Sequence, residues 1–311
     1  MGLFSVSYVC EKLGLPGPSN ISANVSNNKY YMRERMAEAG MKVPKYFCIH
    51  SLDELEKVRM DLVFPLVVKP VDVSGSIGVV FAESYEVVFE SCSKALELSR
   101  GSEVILEEYI IGDEYSVETL SQSGVHNVIA ITQKILTDLP YFVESGHIIP
   151  ADIDEELYNE IEKYVKQFLT ICNIDNSASH TEIRITKDGP MIIETGARIG
   201  GDQITADLVP LATGISMHEN IVRISLGLKL NLDNRINRYA GIKFLMNQDY
   251  NELTNIVKNL EKRSDLVRVQ ICKNDNHSET KFGCITNSND RHGYYIAVAD
   301  SKCELLDLLS V

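Results

Sequence analysis

One stretch, His180 to Asp202 (HTEIRITKDGPMIIETGARIGGD), constrains the fold of this chain more than any other. Two short runs of alternating apolar residues flank Asp188-Gly189, a pair typical of a tight β-hairpin turn. Cross-strand partners share one face of a sheet, so a hairpin centred there places Glu182 directly opposite Glu194. The sequence therefore predicts two opposed carboxylates on one sheet face.

Two opposed carboxylates repel each other unless a cation lies between them. Their apolar neighbours indicate buried surroundings, in which an unpaired charge is costly; these are Ile183, Ile185, Ile192 and Ile193. A hard cation such as Mg²⁺, bound by carboxylate and phosphate oxygens, would remove the repulsion. The alternative is a salt-bridged surface hairpin without a ligand.

Composition narrows the classes of partner. The chain has 311 residues, enough for two or three subdomains, and a formal net charge of −14, which argues against nucleic acid or an anionic membrane surface as a general partner. No apolar run approaches the ~18 residues of a membrane span, and no signal peptide is evident. The seven cysteines are scattered without a Cys-x-x-Cys pair, which predicts reduced, mostly buried thiols in a cytoplasmic protein.

The first lysine of interest opens a helix. Residues 1–28 end in a Gly/Pro-rich break, and Asn27 or Asn28 then caps a helix, KYYMRERMAEAG, that Gly40 closes. Lys29 lies in the first turn, where the helix dipole favours anions over cations. A bound anion would explain this lysine; a solvated surface lysine is the alternative.

A second lysine ends a short buried strand. Val-Val-Lys69 runs into the loop Pro-Val-Asp-Val-Ser-Gly-Ser-Ile-Gly and then into a further strand. Backbone N–H groups and serine hydroxyls at the tip of such a hairpin can bind phosphate oxygens, and the candidates are Ser74, Gly75, Ser76 and Gly78. The loop is neither a Walker loop nor a Gly-x-Gly-x-x-Gly fingerprint, and most Gly/Ser hairpins are only turns.

Two strands meet at the segment Glu107-Glu108-Tyr-Ile110-Ile-Gly-Asp-Glu114. Carboxylates at both ends can border one crevice, where exposed backbone can pair with an adenine edge and a carboxylate with ribose hydroxyls. An acidic strand end without a ligand is the alternative. The following strand ends at Lys134, and Tyr-Phe-Val-Glu144-Ser-Gly-His147-Ile-Ile-Pro comes next.

These pieces, taken in order over about residues 13–246, resemble the ATP-grasp superfamily of carboxylate–amine ligases. Glu144-Ser-Gly-His147-x-x-Pro and Arg198-Ile-Gly-Gly201-Asp202 are most similar to the branch of L-amino-acid (dipeptide) ligases. The resemblance implies an α+β fold with two lobes around a nucleotide cleft and a small C-terminal α+β lobe. The expected divisions are residues 1–28 (a remnant or linker of a preceding domain), 29–105 (the small lobe), 106–238 (the large lobe) and 239–311.

The resemblance also implies roles for individual residues. Lys29, Lys69 and the Ser74–Gly78 loop would contact ATP phosphates. At the joint, Glu107 would bind the adenine amino group, with Glu108 beside it, Ile110 would offer backbone to the ring, and Glu114 would bind the ribose.

Glu182 and Glu194 would hold Mg²⁺, or Mn²⁺ in its place. Arg198 would stabilise the transferring phosphoryl group. Glu144 would pair with a substrate ammonium, and His147 would orient a carboxylate or accept a proton, although a lone histidine at a strand end is more often structural. Lys134, Gly201 and Asp202 are further substrate-site candidates.

The implied reaction joins a small carboxylate, expected to be an amino acid, to an amine through an acyl phosphate, with release of ADP and phosphate. Two departures from the family stand out. Gly196 occupies a place where asparagine often serves as a further metal ligand, and the expected Rossmann-like N-terminal domain of about a hundred residues is largely missing.

Three alternatives follow: a non-catalytic or partner-dependent ATP-binding module of a larger assembly, an ATP-grasp enzyme that uses bicarbonate, and one that phosphorylates a small molecule. Homodimers are common among similar enzymes, so either a homodimer or a partner that supplies the missing domain is expected.

Overall fold

The computed structural model describes residues 2–233, 236–246, 250–271 and 286–310. The helices are α1 Gly2–Leu13, α2 Asn20–Asn27, α3 Lys29–Glu38, α4 Leu52–Val58, α5 Tyr85–Leu98, α6 Glu155–Ile171, α7 Val209–Thr213, α8 Met217–Ser225, α9 Tyr250–Leu260 and α10 Lys302–Leu309. The strands are β1 Tyr46–Ile49, β2 Leu66–Pro70, β3 Val80–Ala82, β4 Val104–Glu108, β5 Asp113–Gln122, β6 Val125–Leu136, β7 Glu144–Ile149, β8 Ser177–Thr186, β9 Gly189–Gly196, β10 Tyr239–Leu245, β11 Leu266–Ile271 and β12 Gly293–Ala299. A π-helical turn, Ile204–Leu208, precedes α7, and a 3₁₀ turn, Ser288–Asp290, precedes β12.

The smaller sheet has four antiparallel strands in the order β1-β4-β2-β3. Its buried face packs against α4 and α5 through a core that includes Leu55, Val68, Val88 and Leu106. Ser51 and Ser84 begin these helices by accepting hydrogen bonds from backbone N–H groups. This sheet is the small lobe, and Lys69 lies near the end of its central strand β2.

The larger sheet has eight strands in the order β11-β12-β10-β7-β6-β5-β8-β9. The C-terminal strands therefore continue the large sheet, with β10 paired antiparallel to β7, rather than forming a sheet of their own. The predicted α+β class and the two-lobed architecture are confirmed, whereas the division at residue 239 falls within one continuous sheet.

Helix α3 packs into the core of the large lobe, although the predicted division placed it in the small lobe. Its Met32 and Met36 are buried together with Val165 and Phe168 of α6. The helix begins at Lys29 because Asn28 accepts a hydrogen bond from Tyr31 N–H, as predicted, and Gly40 adopts a positive φ of 71° just beyond its end. It therefore carries Lys29 from the large lobe towards the small one.

The predictions for the N-terminal helices and for the cysteines agree with the structure only in part. Residues 20–27 form a helix that the sequence pattern did not predict. Among the described cysteines, all are free thiols, but only Cys92 and Cys172 are buried, and Cys303 is exposed; Cys272 and Cys284 lie outside the described residues. In the described ranges, no helix combines the length and apolar character needed to cross a membrane.

Candidate functional site

One cavity lies where the two sheets meet, and nearly every predicted site residue lines it. The wall includes Lys29, Lys69, Ser74, Gly75, Ser76, Glu107, Glu108, Ile110, Glu114, Lys134, Glu144, His147, Glu182, Glu194, Arg198, Gly201 and Asp202. Gly78 does not belong to the wall, because it lies at the base of its loop. A Cβ there would come within 2.7 Å of Leu98 Cδ1, so the glycine meets a packing requirement of the small lobe.

The β8–β9 hairpin brings the two predicted metal-binding carboxylates together. Glu182 and Glu194 are direct cross-strand partners, and the turn between the strands consists of residues 187 and 188. A register shift follows immediately, since Ile183 pairs with Ile192 and leaves Ile193 as an extra residue. The predicted register of the hairpin is therefore confirmed at the position that matters for the site.

A buried lysine meets one of these carboxylates. Lys134 Nζ lies 2.9 Å from Glu182, 3.0 Å from Glu114 and 3.3 Å from Glu144. Burial alone would lower the pKa of Lys134, but the three carboxylates raise it well above its usual value. Burial would likewise raise the pKa of Glu182, yet Lys134 and His180 hold it well below its usual value. Both groups are therefore ionised at neutral pH.

His180, on the same strand as Glu182, contacts the Glu182 carboxylate. His180 Nδ1 lies 2.7 Å from the buried Glu118, and Nε2 lies 3.3 Å from Glu182. Burial would lower the pKa of His180, but the two carboxylates raise it to about 10, so the ring is an imidazolium at neutral pH. Gly200 packs against this pair, since a Cβ there would lie 2.7 Å from Nδ1.

The second metal-binding carboxylate pairs with the helix-borne lysine. Lys29 Nζ lies 3.1 Å from Glu194 and donates a hydrogen bond to the carbonyl of Val73 at 2.8 Å. Lys29 therefore connects the β8–β9 hairpin to Val73, at the start of the glycine-serine loop. The solvated-lysine alternative is wrong, because this side chain is only 9% exposed.

The glycine-serine loop closes over the cavity and is fastened at its tip. Ser76 Oγ donates a hydrogen bond to the carbonyl of Phe142 at 2.7 Å, and Phe142 belongs to the segment between β6 and β7. Gly75 and Ser76 both have positive φ, which turns the backbone at the tip. The loop thus lies against the segment that leads into Glu144 and His147.

Lys69 is held in place by the buried carboxylate of Glu107, which also pairs with Arg33. Its ammonium lies 2.6 Å from Glu107, which also accepts a hydrogen bond from Arg33 at 2.5 Å. Burial would raise the pKa of Glu107, but Arg33 and Lys69 lower it to about 2. Both carboxylate oxygens of Glu107 are engaged, so the arrangement favours the positioning of Lys69 over the adenine contact that the resemblance implies.

Arg33 also joins the two sheets. Its remaining nitrogens donate to the carbonyls of Ile192 at 2.9 Å and Ile193 at 3.2 Å, next to Glu194. One fully buried guanidinium therefore ties β4 of the small sheet to the irregular part of β9 in the large sheet.

The joint between β4 and β5 carries the predicted nucleoside contacts. Glu114 is paired with Arg184, whose two nitrogens lie 3.0 Å from the same carboxylate oxygen, and Arg184 also donates to the carbonyl of Ile110. The Arg184 guanidinium lies 5.0 Å from the Tyr109 ring centroid and 5.3 Å from that of Phe142. The Tyr109 and Phe142 rings lie against each other, with centroids 6.0 Å apart, and both line the cavity wall beside Ile110, while the Glu114 carboxylate is already paired.

The far end of the cavity holds the predicted substrate residues. His147 is fully buried, with Nε2 3.4 Å from Asp202, and Nδ1 has no hydrogen-bond partner among the described residues. Arg291, from the segment before β12, lies 2.6 Å from Glu144 and 2.8 Å from Asp202. Burial would raise the pKa values of both carboxylates, but their neighbours lower them, chiefly Lys134 for Glu144 and, for Asp202, the hydrogen bond with His147 together with Arg291.

Arg198 lies on the wall of the cavity beside the unusual glycine. Its side chain is exposed, and its guanidinium donates only to the carbonyl of Ile199. A Cβ on Gly196 would come within 3.2 Å of Arg198 Cγ, so glycine at this position makes room for the arginine to lie along the hairpin.

The donor set fits a metal ion only in combination with a ligand. Glu182 and Glu194 are 24% and 32% exposed on one face of the hairpin, and both are hard oxygen donors of the kind that Mg²⁺ prefers. Within the described ranges, no group of three or more His, Cys, Asp or Glu side chains could hold a metal ion. Two carboxylates plus phosphate oxygens match Mg²⁺ that arrives with a nucleotide.

Sequence reasoning missed four residues that organise this site: Arg33, His180, Arg184 and Arg291. His180 and Arg184 flank Glu182 on β8, so the alternation of charged and apolar residues there could have indicated them. Arg33 and Arg291 reach the site from distant parts of the chain, and no local pattern marks them.

Comparisons with known proteins agree with this geometry. Residues 62–207 match the ATP-grasp domain model. The alanine–anticapsin ligase of Bacillus subtilis is 28% identical over 219 residues, which cover 63% of this chain and 46% of that protein. The crystal structure of an L-amino acid ligase from Bacillus licheniformis superposes with a TM-score of 0.82 and 26% identity, covering 97% of this chain and 74% of that one.

A more distant structure shares the fold alone. The N5-carboxyaminoimidazole synthetase of Staphylococcus aureus, solved with ADP, has a TM-score of 0.73 and 16% identity over 97% of this chain and 75% of that one. Among curated relatives, the chain spans 62% of the length of one and 46% of another.

Proposed function

We propose that this chain, whose residues 62–207 match the ATP-grasp domain model, is an ATP-dependent ligase that joins a small carboxylate, an amino acid, to an amine. One observation carries the proposal. The opposed pair Glu182 and Glu194 shares a single cavity with Lys29, Lys69 and the substrate residue Glu144. Phosphate-binding cations, metal-binding carboxylates and a polar pocket beyond them are the parts that carboxylate activation by ATP requires.

The nucleotide would occupy the end of the cavity near the small lobe. Lys69, fixed by Glu107, and Lys29, fixed between Glu194 and Val73, would bind its phosphates. The adenine ring would lie against the Ile110 backbone, on the part of the cavity wall that Tyr109 and Phe142 also line. Glu114 would reach a ribose hydroxyl while it remains paired with Arg184.

Glu182 and Glu194 would hold Mg²⁺, which neutralises phosphate charge when bound. Lys29 lies 3.1 Å from Glu194 and Lys134 lies 2.9 Å from Glu182, so each of these carboxylates has an ammonium group beside it. His180 and Glu118 fix the orientation of Glu182 from the opposite side.

The chain's residues then account for two steps. A carboxylate cannot lose oxide, so transfer of the γ-phosphoryl group to the substrate carboxylate creates an acyl phosphate that can lose phosphate instead. Arg198, exposed on the wall, would stabilise the charge that develops during this transfer. Glu144 would pair with the substrate ammonium, and His147 would accept the proton that the attacking amine releases as the amide forms.

A screen for phosphate release tests the proposal. Pairs of L-amino acids are incubated with Mg-ATP and the protein, and positive pairs are examined by mass spectrometry for an amide product. Phosphate release that requires both amino acids, with an amide of matching mass, is the expected result. ATP binding without turnover for any pair would contradict it.

A second function is favoured by one observation, the glycine at position 196. Because Gly196 has no side chain to serve as a further metal ligand two residues after Glu194, the chain is also a candidate for a partner-dependent ATP-binding module. In that case nucleotide binds with normal affinity, and turnover appears only when a second polypeptide is added. Either activity fits a cytoplasmic location, where ATP and free thiols occur together.

A further inference from the structure

The substrate end of the cavity is completed by a residue from the C-terminal part of the chain. Arg291 follows the 3₁₀ turn Ser288–Asp290, and its guanidinium is only 7% exposed. One terminal nitrogen lies 2.6 Å from Glu144 and the other 2.8 Å from Asp202. The guanidinium therefore spans two carboxylates that belong to different elements, β7 and the segment after β9.

An aromatic ring, in addition to the two carboxylates, fixes the position of this guanidinium. Its Cζ lies 3.8 Å from the centroid of the Phe244 ring, which stacks against the planar group. Phe244 also meets the His147 ring edge-on, with centroids 5.6 Å apart. Ser288 donates a second hydrogen bond to the same Glu144 oxygen at 3.2 Å. Arg291, Glu144, His147 and Asp202 thus form one connected cluster.

The charges of this cluster show what Arg291 can do. Both terminal nitrogens bind carboxylates and Arg291 itself does not line the cavity, so it acts through Glu144 and Asp202 rather than on a substrate directly. Its effect is to hold two acidic side chains apart and ionised at a place where they would otherwise repel each other. Fixed carboxylates facing a cavity are suited to a substrate ammonium.

We propose that Arg291 is a positioning residue for the amino-acid end of the site, and that it acts by bracing Glu144 and Asp202 between its two terminal nitrogens. This inference rests on the proposed ligase function. It makes the recognition of the amino acid depend on the C-terminal strands, whereas nucleotide binding depends on Lys29, Lys69 and the joint at residues 107–114.

The test compares Arg291→Met, Arg291→Lys and Arg238→Met, using an amino-acid pair that the wild type accepts. Arg238 is a matched control because it pairs with the exposed Asp300 at the surface, away from the cavity. Loss of two charge-assisted hydrogen bonds should raise the KM of the amino acid by about tenfold or more. The KM for Mg-ATP should change by less than about twofold, because no ATP-binding lysine contacts Arg291.

Thermal unfolding monitored by circular dichroism shows whether each variant folds. If Arg291→Met does not fold, the amino-acid KM of Arg291→Lys tests the inference instead. A single ammonium keeps the charge but cannot brace both carboxylates in the geometry of a planar fork, so an intermediate KM is expected. A wild-type amino-acid KM in either folded variant would overturn the inference. An equal rise in both KM values would also overturn it, because it would indicate a general structural role.

Failure of the inference can be told from failure of the proposed function. Amino-acid binding is also measured by calorimetry in the presence of Mg²⁺ and a non-hydrolysable ATP analogue. A wild type that binds amino acids but forms no amide refutes the ligase function, and the effect of Arg291→Met on binding still tests the inference. A wild type that binds no amino acid overturns both.

Discussion

Lys134 on β6 reaches across β5 and places its ammonium 2.9 Å from Glu182 on β8. It also contacts Glu114 on β5 and Glu144 on β7, so one side chain connects four adjacent strands of the large sheet. The proposed nucleoside, metal and substrate parts of the site therefore share one cation, Lys134, which the sequence predicts only as a substrate contact.

Replacement of Lys134 by methionine should destabilise the protein, because it leaves three carboxylates, one buried and two largely buried, without their common cation. A loss of about 3–5 kcal/mol in the free energy of unfolding is expected. Urea denaturation of the variant and the wild type measures the difference. Lys166→Met, which removes an exposed pair with Glu162 on α6, serves as the control and should cost less than about 1 kcal/mol. A Lys134 variant as stable as this control would contradict the assigned role.

Glu194→Gln should abolish turnover, since a neutral amide is a poor ligand for a hard divalent cation. A fall of about a hundredfold or more in kcat is expected, with the fold intact because Glu194 is partly exposed. Phosphate release at saturating ATP measures it, and Glu90→Gln on the exposed side of α5 is the control. Unchanged turnover would refute the metal assignment of this hairpin.

His147→Ala should separate the two halves of the reaction. If His147 accepts the proton of the attacking amine, amide formation should fall by about 10²–10⁴-fold while phosphoryl transfer continues. Parallel assays of ADP release and of amide by mass spectrometry reveal the uncoupling. Intact product formation in the variant would assign His147 to a structural role, consistent with its complete burial.

Glu107 should make stability depend on acidity. Its pKa is lowered from 4.5 to about 2 in the folded protein, so its ionised form stabilises the fold fully above pH 4.5 and this contribution is lost as the pH falls through 2. Glu107→Gln should therefore lower the free energy of unfolding at pH 7 by roughly 3 kcal/mol. The gap to wild type should narrow between pH 4.5 and 2. Denaturation at several pH values measures this difference, and the exposed Glu83→Gln is the control. If the charge of Glu107 contributed nothing, the difference in the free energy of unfolding between the Glu107 variant and the wild type would not change with pH.

Local signals in the sequence sufficed for the parts of the site that depend on local structure. The turn chemistry at Asp188 and the period of two along each strand placed Glu182 opposite Glu194, and Asn28 marked the start of the helix that carries Lys29. These features depend on residues a few positions apart, which a single sequence displays.

Contacts over long separations could not be predicted in the same way. Arg33 meets Glu107 and the backbone of Ile193, and Arg291 meets Glu144, because the sheet order brings distant segments together. The same order explains why β10, β11 and β12 extend the large sheet, whereas the pattern of strands and helices predicts a smaller α+β lobe over residues 239–311. A charged residue in a loop has no period, so its partner is defined only by the completed topology.

The hydrogen bond from Ser76 to the carbonyl of Phe142 joins the glycine-serine loop to the segment that leads into Glu144. Withdrawal of one of these segments removes a contact that holds the other, so both ends of the cavity should open and close together. We expect the nucleotide and the amino acid to enter and leave the cavity through the same opening. The release of ADP and of the amide product would then depend on the same movement of these two segments.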